Sequence, residues 1–123
     1  EWRSKNDSGA TINELDVPCN TDTLLEVEWS ATWSRTGSSA SDFDDAHIEG
    51  FRVLVDGTVV AHLPRSPRSR SHDSGYLVGY APVQGGTHRV SVEFRQFKKD
   101  TDSTHNRTTV INERELVVRA YKR

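Results

Sequence analysis

The chain has 123 residues, 33% of them apolar, and a formal charge of −2 at neutral pH. That length fits one core of ordinary size and not two. The near-neutral charge excludes a global attraction to nucleic acid or anionic lipid, and no stretch of about 18 apolar residues is present to span a bilayer. An apolar share below the roughly 45 to 50% (Gly included) usual in soluble domains suits a sheet protein with wet faces and long polar loops. Cys19 is alone, so no internal disulfide can form, and beside Pro18 it reads as a small half-buried residue rather than a reactive thiol. The chain contains no methionine and begins at Glu1, which predicts a fragment of a longer protein or a trimmed chain.

Residues 1–11 are polar apart from Trp2 and Ala10 and read as a tether. A short strand is expected over Ile12 to Val17, ended by Pro18, because proline cannot donate to a ladder. From Leu24 to Trp33 the pattern has a period of two. Leu25, Val27, Trp29, Ala31 and Trp33 fall on one side, and Glu26, Glu28, Ser30 and Thr32 on the other. Each large side chain buried from this strand is worth roughly 1.5 to 3 kcal/mol, so the core is expected to form on it.

A polar segment, 34–46, leads to a strand over His47 to Val55 with Phe51, Val53 and Val55 on one face. Asp56-Gly57 separates it from a returning strand over Thr58 to Leu63 and signals a two-residue hairpin, in which both turn residues need positive φ. A second polar segment, 64–75, is rich in Arg, Ser and Pro. Next comes a strand over Tyr76 to Val83, with Tyr76, Val78 and Tyr80 sharing a face. Gln84-Gly85-Gly86 turns the chain into a strand over His88 to Phe97, with Val90, Val92 and Phe94 inward. A third polar segment, 98–109, precedes the last strand, Val110 to Tyr121, where Leu116, Val118 and Ala120 alternate with Val117, Arg119 and Tyr121. Being apolar on both faces, this strand should be central or lie against another subunit. No amphipathic helix of useful length is present. The expected fold is all-β, an antiparallel β-sandwich of jelly-roll type, over residues 20–123, behind an N-terminal tether with a short strand at 1–19.

If strand direction alternates, the segments 34–46, 64–75 and 98–109 gather at one end, and both tight turns lie at the other. Polar segments of this length without internal structure are uncommon unless they bind something or are disordered. The candidate binding residues are therefore Asp42, Asp44 and Asp45, the basic Arg65, Arg68 and Arg70, and His72 and His105. The aspartates suit a hard cation, but the spacing lacks the turn glycine and closing glutamate of an EF-hand, so a solvated acidic loop is expected. The arginines could grip phosphate or a sugar acid; without aromatic residues beside them they make a poor nucleic-acid site. Five scattered histidines show no zinc spacing. His72-Asp73-Ser74 holds three triad residue types as sequence neighbours, which cannot stack as nucleophile, base and orienter, and no Gly-x-Ser-x-Gly elbow exists. No catalytic residue, metal or cofactor is expected. Asn6-Asp7-Ser8 and Asn106-Arg107-Thr108 match the N-glycosylation pattern, which matters only in a secreted eukaryotic protein.

Four segments together resemble a known family: Leu24 to Trp33, Gly50 to Gly57, Tyr80 to Arg95 with its Pro82-Val83-Gln84-Gly85-Gly86-Thr87-His88-Arg89-Val90 run, and Arg114 to Tyr121. Their order is similar to the C-terminal head domains of bacteriophage tail and fibre proteins, built like the tumour-necrosis-factor and C1q jelly roll. The resemblance implies a non-catalytic homotrimer at the virion surface, extracellular. It would contact other virion structural proteins and a host cell-surface glycan or protein, with neither nucleic-acid binding nor membrane insertion. On the residues themselves, Trp2, Val117 and Tyr121 are candidate subunit contacts. The alternatives are a capsid decoration or head-spike protein and a carbohydrate-binding module.

Overall fold

The computed structural model describes residues 2–3, 13–35, 46–64, 72–98 and 109–123. Eight strands form in chain order: β1 (Trp2–Arg3), β2 (Glu14–Cys19), β3 (Thr23–Arg35), β4 (Ala46–Val55), β5 (Thr58–Pro64), β6 (His72–Val83), β7 (Gly86–Lys98) and β8 (Thr109–Lys122). No helix occurs among the described residues. All pairings are antiparallel, in two sheets. One runs β1-β7-β4-β5, with β2 also on β7, and the other runs β6-β3-β8. The all-β antiparallel sandwich expected from the pattern is the observed architecture.

The core sits between the sheets. Leu25, Val27, Trp29, Ala31 and Trp33 of β3 face Phe51, Val53 and Val55 of β4 and Val90, Val92 and Phe94 of β7, all buried. Phe51 lies at its centre, 4.8 Å from the Trp29 ring, 4.7 Å from Trp33 and 6.2 Å from Phe94, in the tilted arrangements that aromatic quadrupoles favour. A buried indole N–H needs an acceptor, and Trp29 donates to Asn13 Oδ1 at 2.6 Å across the sandwich. Cys19 is buried in the same core, more deeply than the half-buried setting expected beside Pro18.

Asp56 and Gly57 have φ of 50° and 84°, the double positive φ of a type I′ hairpin. The sandwich is closed at one side by β5 against β6, where a Cβ on Gly79 would lie 2.5 Å from the Val60 carbonyl oxygen. A glycine inside a strand here marks the close approach of a second backbone.

Four expectations are corrected. The first concerns Pro18, which does not end a strand: β2 runs through it, with Pro18 opposite Thr87. This strand pairs only with β7 among the described residues, so the missing proline N–H falls on an edge, where no ladder bond is lost. Second, the segment 1–11 is not tether throughout, since Trp2–Arg3 form β1 on β7. Third, of its two expected places, central or against another subunit, β8 does not take the central one. Among the described residues it pairs with β3 alone and ends the three-stranded sheet. Fourth, His72 is not in a loop, since β6 begins there, opposite Ser34.

Strand direction alternates as expected. Ser34 pairs with His72 and Val110, and Gly50 with Pro64, so the strand ends flanking 36–45, 65–71 and 99–108 lie at one end of the sandwich. Thr23 pairs with Val83 and Lys122 at the other end. There the Asp56 amide donates to the Arg89 carbonyl at 2.8 Å, and the Arg123 amide to the Asp22 carbonyl at 3.0 Å.

Candidate functional site

The outer face of the β6-β3-β8 sheet follows directly from register. Each row takes one outward residue from each strand: Pro82, Leu24 and Tyr121; Tyr80, Glu26 and Arg119; Val78, Glu28 and Val117; Tyr76, Ser30 and Glu115. The large side chains on this face are in solvent. Tyr76 is 58% exposed, Tyr80 56%, Tyr121 48% and Val78 42%. Inward-facing β6 positions are Gly79, Ala81 and Val83 with Leu77, small enough for β5 to close against them. The crowding that puts glycine and alanine inside therefore puts the tyrosines outside.

Between the tyrosines, Arg119 Nη1 lies 3.1 Å from Glu26 Oε1 and 2.9 Å from Glu28 Oε1. The hydrogen bond and charge of Glu28, followed by those of Glu26, reinforce the protonated guanidinium. Partial desolvation of the Tyr76 phenol pushes its ionisation upward, and the Glu28 carboxylate, which accepts its hydrogen bond, pushes the same way. The phenol thus stays a neutral donor, held in place beside the charge pair.

Two hollows adjoin this face. One, of about 430 Å³, is lined by Ser30, Thr32, Ser74, Glu113, Arg114 and Glu115, next in register to Tyr76. The other, of about 400 Å³, runs from Tyr80 and Pro82 to Val55, Asp56 and Val60 at the β5 side. Hydroxyls, carboxylates and the Arg114 side chain line the first and apolar groups dominate the second. The whole surface is a shallow aromatic platform with hydrogen-bonding groups at its centre and one end.

Of the expected site residues, Asp42, Asp44, Asp45, Arg65, Arg68, Arg70 and His105 lie outside the described residues. His72 is placed only as the first residue of β6. Val117 and Tyr121 both lie on the outer face of the three-stranded sheet, whereas Trp2 belongs to the opposite sheet, paired with Arg95. The structure therefore brings two of the three candidate contact residues together and separates the third. Among the described residues, no group of three His, Cys, Asp or Glu side chains is disposed to hold a metal ion.

Sequence reading grouped Tyr76, Val78 and Tyr80 on one face but did not fix that face as outward. It also missed a polar clamp at the tight-turn end. His88 Nδ1 lies 2.6 Å from Asp56 Oδ2, His88 Nε2 lies 2.6 Å from the Gln84 carbonyl, and the Arg89 amide donates to Asp56 Oδ1 at 2.9 Å. Both ring nitrogens face acceptors, so the doubly protonated ring fits best. The Asp56 hydrogen bond, then that to Gln84, raises the His88 pKa above 6.5, and the same His88 contact lowers that of Asp56 below 3.8.

No family model matches the sequence, and no curated protein matches it. Among solved structures, the chain is similar to a family 35 carbohydrate binding module from an environmental isolate. Identity is 7% and the TM-score 0.47, over 98% of this chain and 74% of that one. It is also similar to the EclA C-terminal domain, a sugar-binding protein, at 14% identity and a TM-score of 0.42, over 88% of this chain and 79% of that one.

Proposed function

We propose that this chain is a non-catalytic glycan-binding domain, and that its site is the outer face of the β6-β3-β8 sheet. The observation that carries the reading is the set of three half-exposed tyrosines, Tyr76, Tyr80 and Tyr121, around the Arg119–Glu26–Glu28 ion pairs. Exposed phenol rings offer flat apolar area with a polar tip, which suits the C–H faces of pyranose rings. Carboxylates, serine and threonine hydroxyls and the guanidinium suit their hydroxyls. Tyr76 and Tyr80 are four residues apart along one strand, about 13 Å by strand rise, the span of a short oligosaccharide.

The charge on the face narrows the ligand. Glu26, Glu28, Glu113 and Glu115 outnumber Arg114 and Arg119 on or beside it. A uronic acid or phosphate would be repelled, so the ligand is a neutral, hydroxyl-rich polysaccharide. This differs from the anionic ligand that Arg65, Arg68 and Arg70 would favour.

The test is affinity electrophoresis against a panel of soluble neutral and anionic polysaccharides. Retardation by a neutral polymer, lost in Tyr80→Ala and Tyr76→Ala with the fold intact, is the expected result. Retention unchanged in both variants, or lost instead on substituting Arg65, Arg68 and Arg70, would overturn the assignment.

A further inference from the structure

We infer that β8 pairs, antiparallel and edge to edge, with β8 of a second copy of this chain, about a two-fold axis at Val117. The proposal does not rest on the glycan reading. Among the described residues β8 pairs on one side only, and its ladder with β3 is regular from Arg114 to Lys122, interrupted only by the irregularity opposite Thr32. An edge of this length, with no proline in it, is a template for another strand.

The sequence of β8 matches itself when reversed about Val117. Antiparallel pairing there sets Val117 against Val117, Leu116 against Val118, and Glu115 against Arg119, the last two contacts each occurring twice by symmetry. Opposite charges directly across a ladder are favourable and like charges unfavourable. Shifting the register so that Glu115 faces Glu115 or Arg119 faces Arg119 would place like charges together, so the charges exclude those arrangements. A register centred on Leu116 would set Glu113 against Arg119, but Glu113 lies at the irregularity of the ladder between Ile111 and Arg114, whereas Glu115 lies in its regular part, which favours the Val117-centred arrangement. Glu115 is exposed. Arg119 meets Glu26 and Glu28 on its β3 side and has donors left for a carboxylate on the other. Leu116 and Val118 pack against the core while half-exposed, and a second strand would cover their open side.

The contact is isologous and closes at two copies. It would make one six-stranded sheet, β6-β3-β8-β8-β3-β6, with both tyrosine faces on the same side. A long polymer could then engage both at once, and its retention would rise through effective concentration without any new contact.

Sedimentation velocity of the full chain is the test, with three variants. Wild type is expected to sediment as a dimer, and Glu115→Lys, which opposes two cations, to raise the dimer dissociation constant about tenfold or more while leaving circular dichroism unchanged. The same charge change at Glu14, on the far edge of the other sheet, should leave association intact. Val117→Cys should form an intermolecular disulfide under oxidation, because directly opposed Cβ atoms in a ladder lie about 4.5–5.5 Å apart. A wild-type monomer, a trimer, or a dimer indifferent to Glu115→Lys and uncross-linked by Val117→Cys would overturn the proposal.

Discussion

The two outer faces of the sandwich differ in what surrounds their charges. On the five-stranded sheet, Arg52 meets Glu93 at 2.7 Å, and Arg89 meets Glu14 and Asp16, each at 3.1 Å, so these charges are paired along the surface. On the three-stranded sheet Arg119 likewise serves two glutamates, but the space around them holds exposed tyrosines. The first face is a solvated surface of paired charges. The second leaves acceptors and flat apolar area over, the two properties that a sugar-binding surface requires. Both faces come from strands with the same alternation of polar and apolar residues, so it is the choice of outward residue, not the pattern, that separates them.

The largest effect expected on this contrast comes from the seam that turns the tyrosines outward. Gly79→Ala would drive a Cβ into the Val60 backbone, and overpacking of this kind costs about 1–3 kcal/mol. Gly85→Ala has nothing nearer than 3.5 Å and no positive φ, and should be close to neutral. Chemical denaturation of the pair checks this, and equal effects would show that β5 does not close on β6 there. Next in size is Tyr80→Ala, expected to weaken polysaccharide binding about tenfold by titration calorimetry with little change in stability. Arg52→Ala, on the matched face, should do the reverse: binding unchanged, and stability lowered by about 0.5 kcal/mol, as for a partly exposed ion pair.

The smallest effect is one of pH. His88 has a raised pKa, so its contribution is full below 6.5 and is lost as pH rises through the folded-state value. Asp56 has a lowered one, so its contribution is present above 3.8 and is lost as pH falls through the folded-state value. Thermal melts should show the clamp strongest between these limits, and His88→Gln should flatten the decline on the alkaline side while leaving sugar binding untouched.

Much of this fold is legible in the sequence because a period of two with tryptophans on one side has few other solutions. Leu25 to Trp33 and Val90 to Phe94 were inward for that reason, and Asp56-Gly57 turned as its residues require. The β6 strand shows where pattern stops. Tyr76, Val78 and Tyr80 are larger and more apolar than Gly79 and Ala81, and hydrophobicity alone would turn them in. They face outward because the backbone of β5, distant in sequence but near in space, leaves room only for a glycine at position 79. The His88–Asp56 pair, 32 residues apart, was hidden for the same reason: its geometry follows from the meeting of two hairpins. The edge position of β8 depends on which strand the chain's first residues join, and no local signal in β8 reports that.

The most direct test is a two-dimensional amide NMR titration with neutral gluco-, xylo- and galacto-oligosaccharides. The account predicts that a binding sugar shifts amides of β3, β6 and β8 centred on Glu26, Glu28, Tyr76, Tyr80 and Arg119. Shifts confined to residues 36–45, 65–71 and 99–108, or no shift with any neutral sugar, would contradict it.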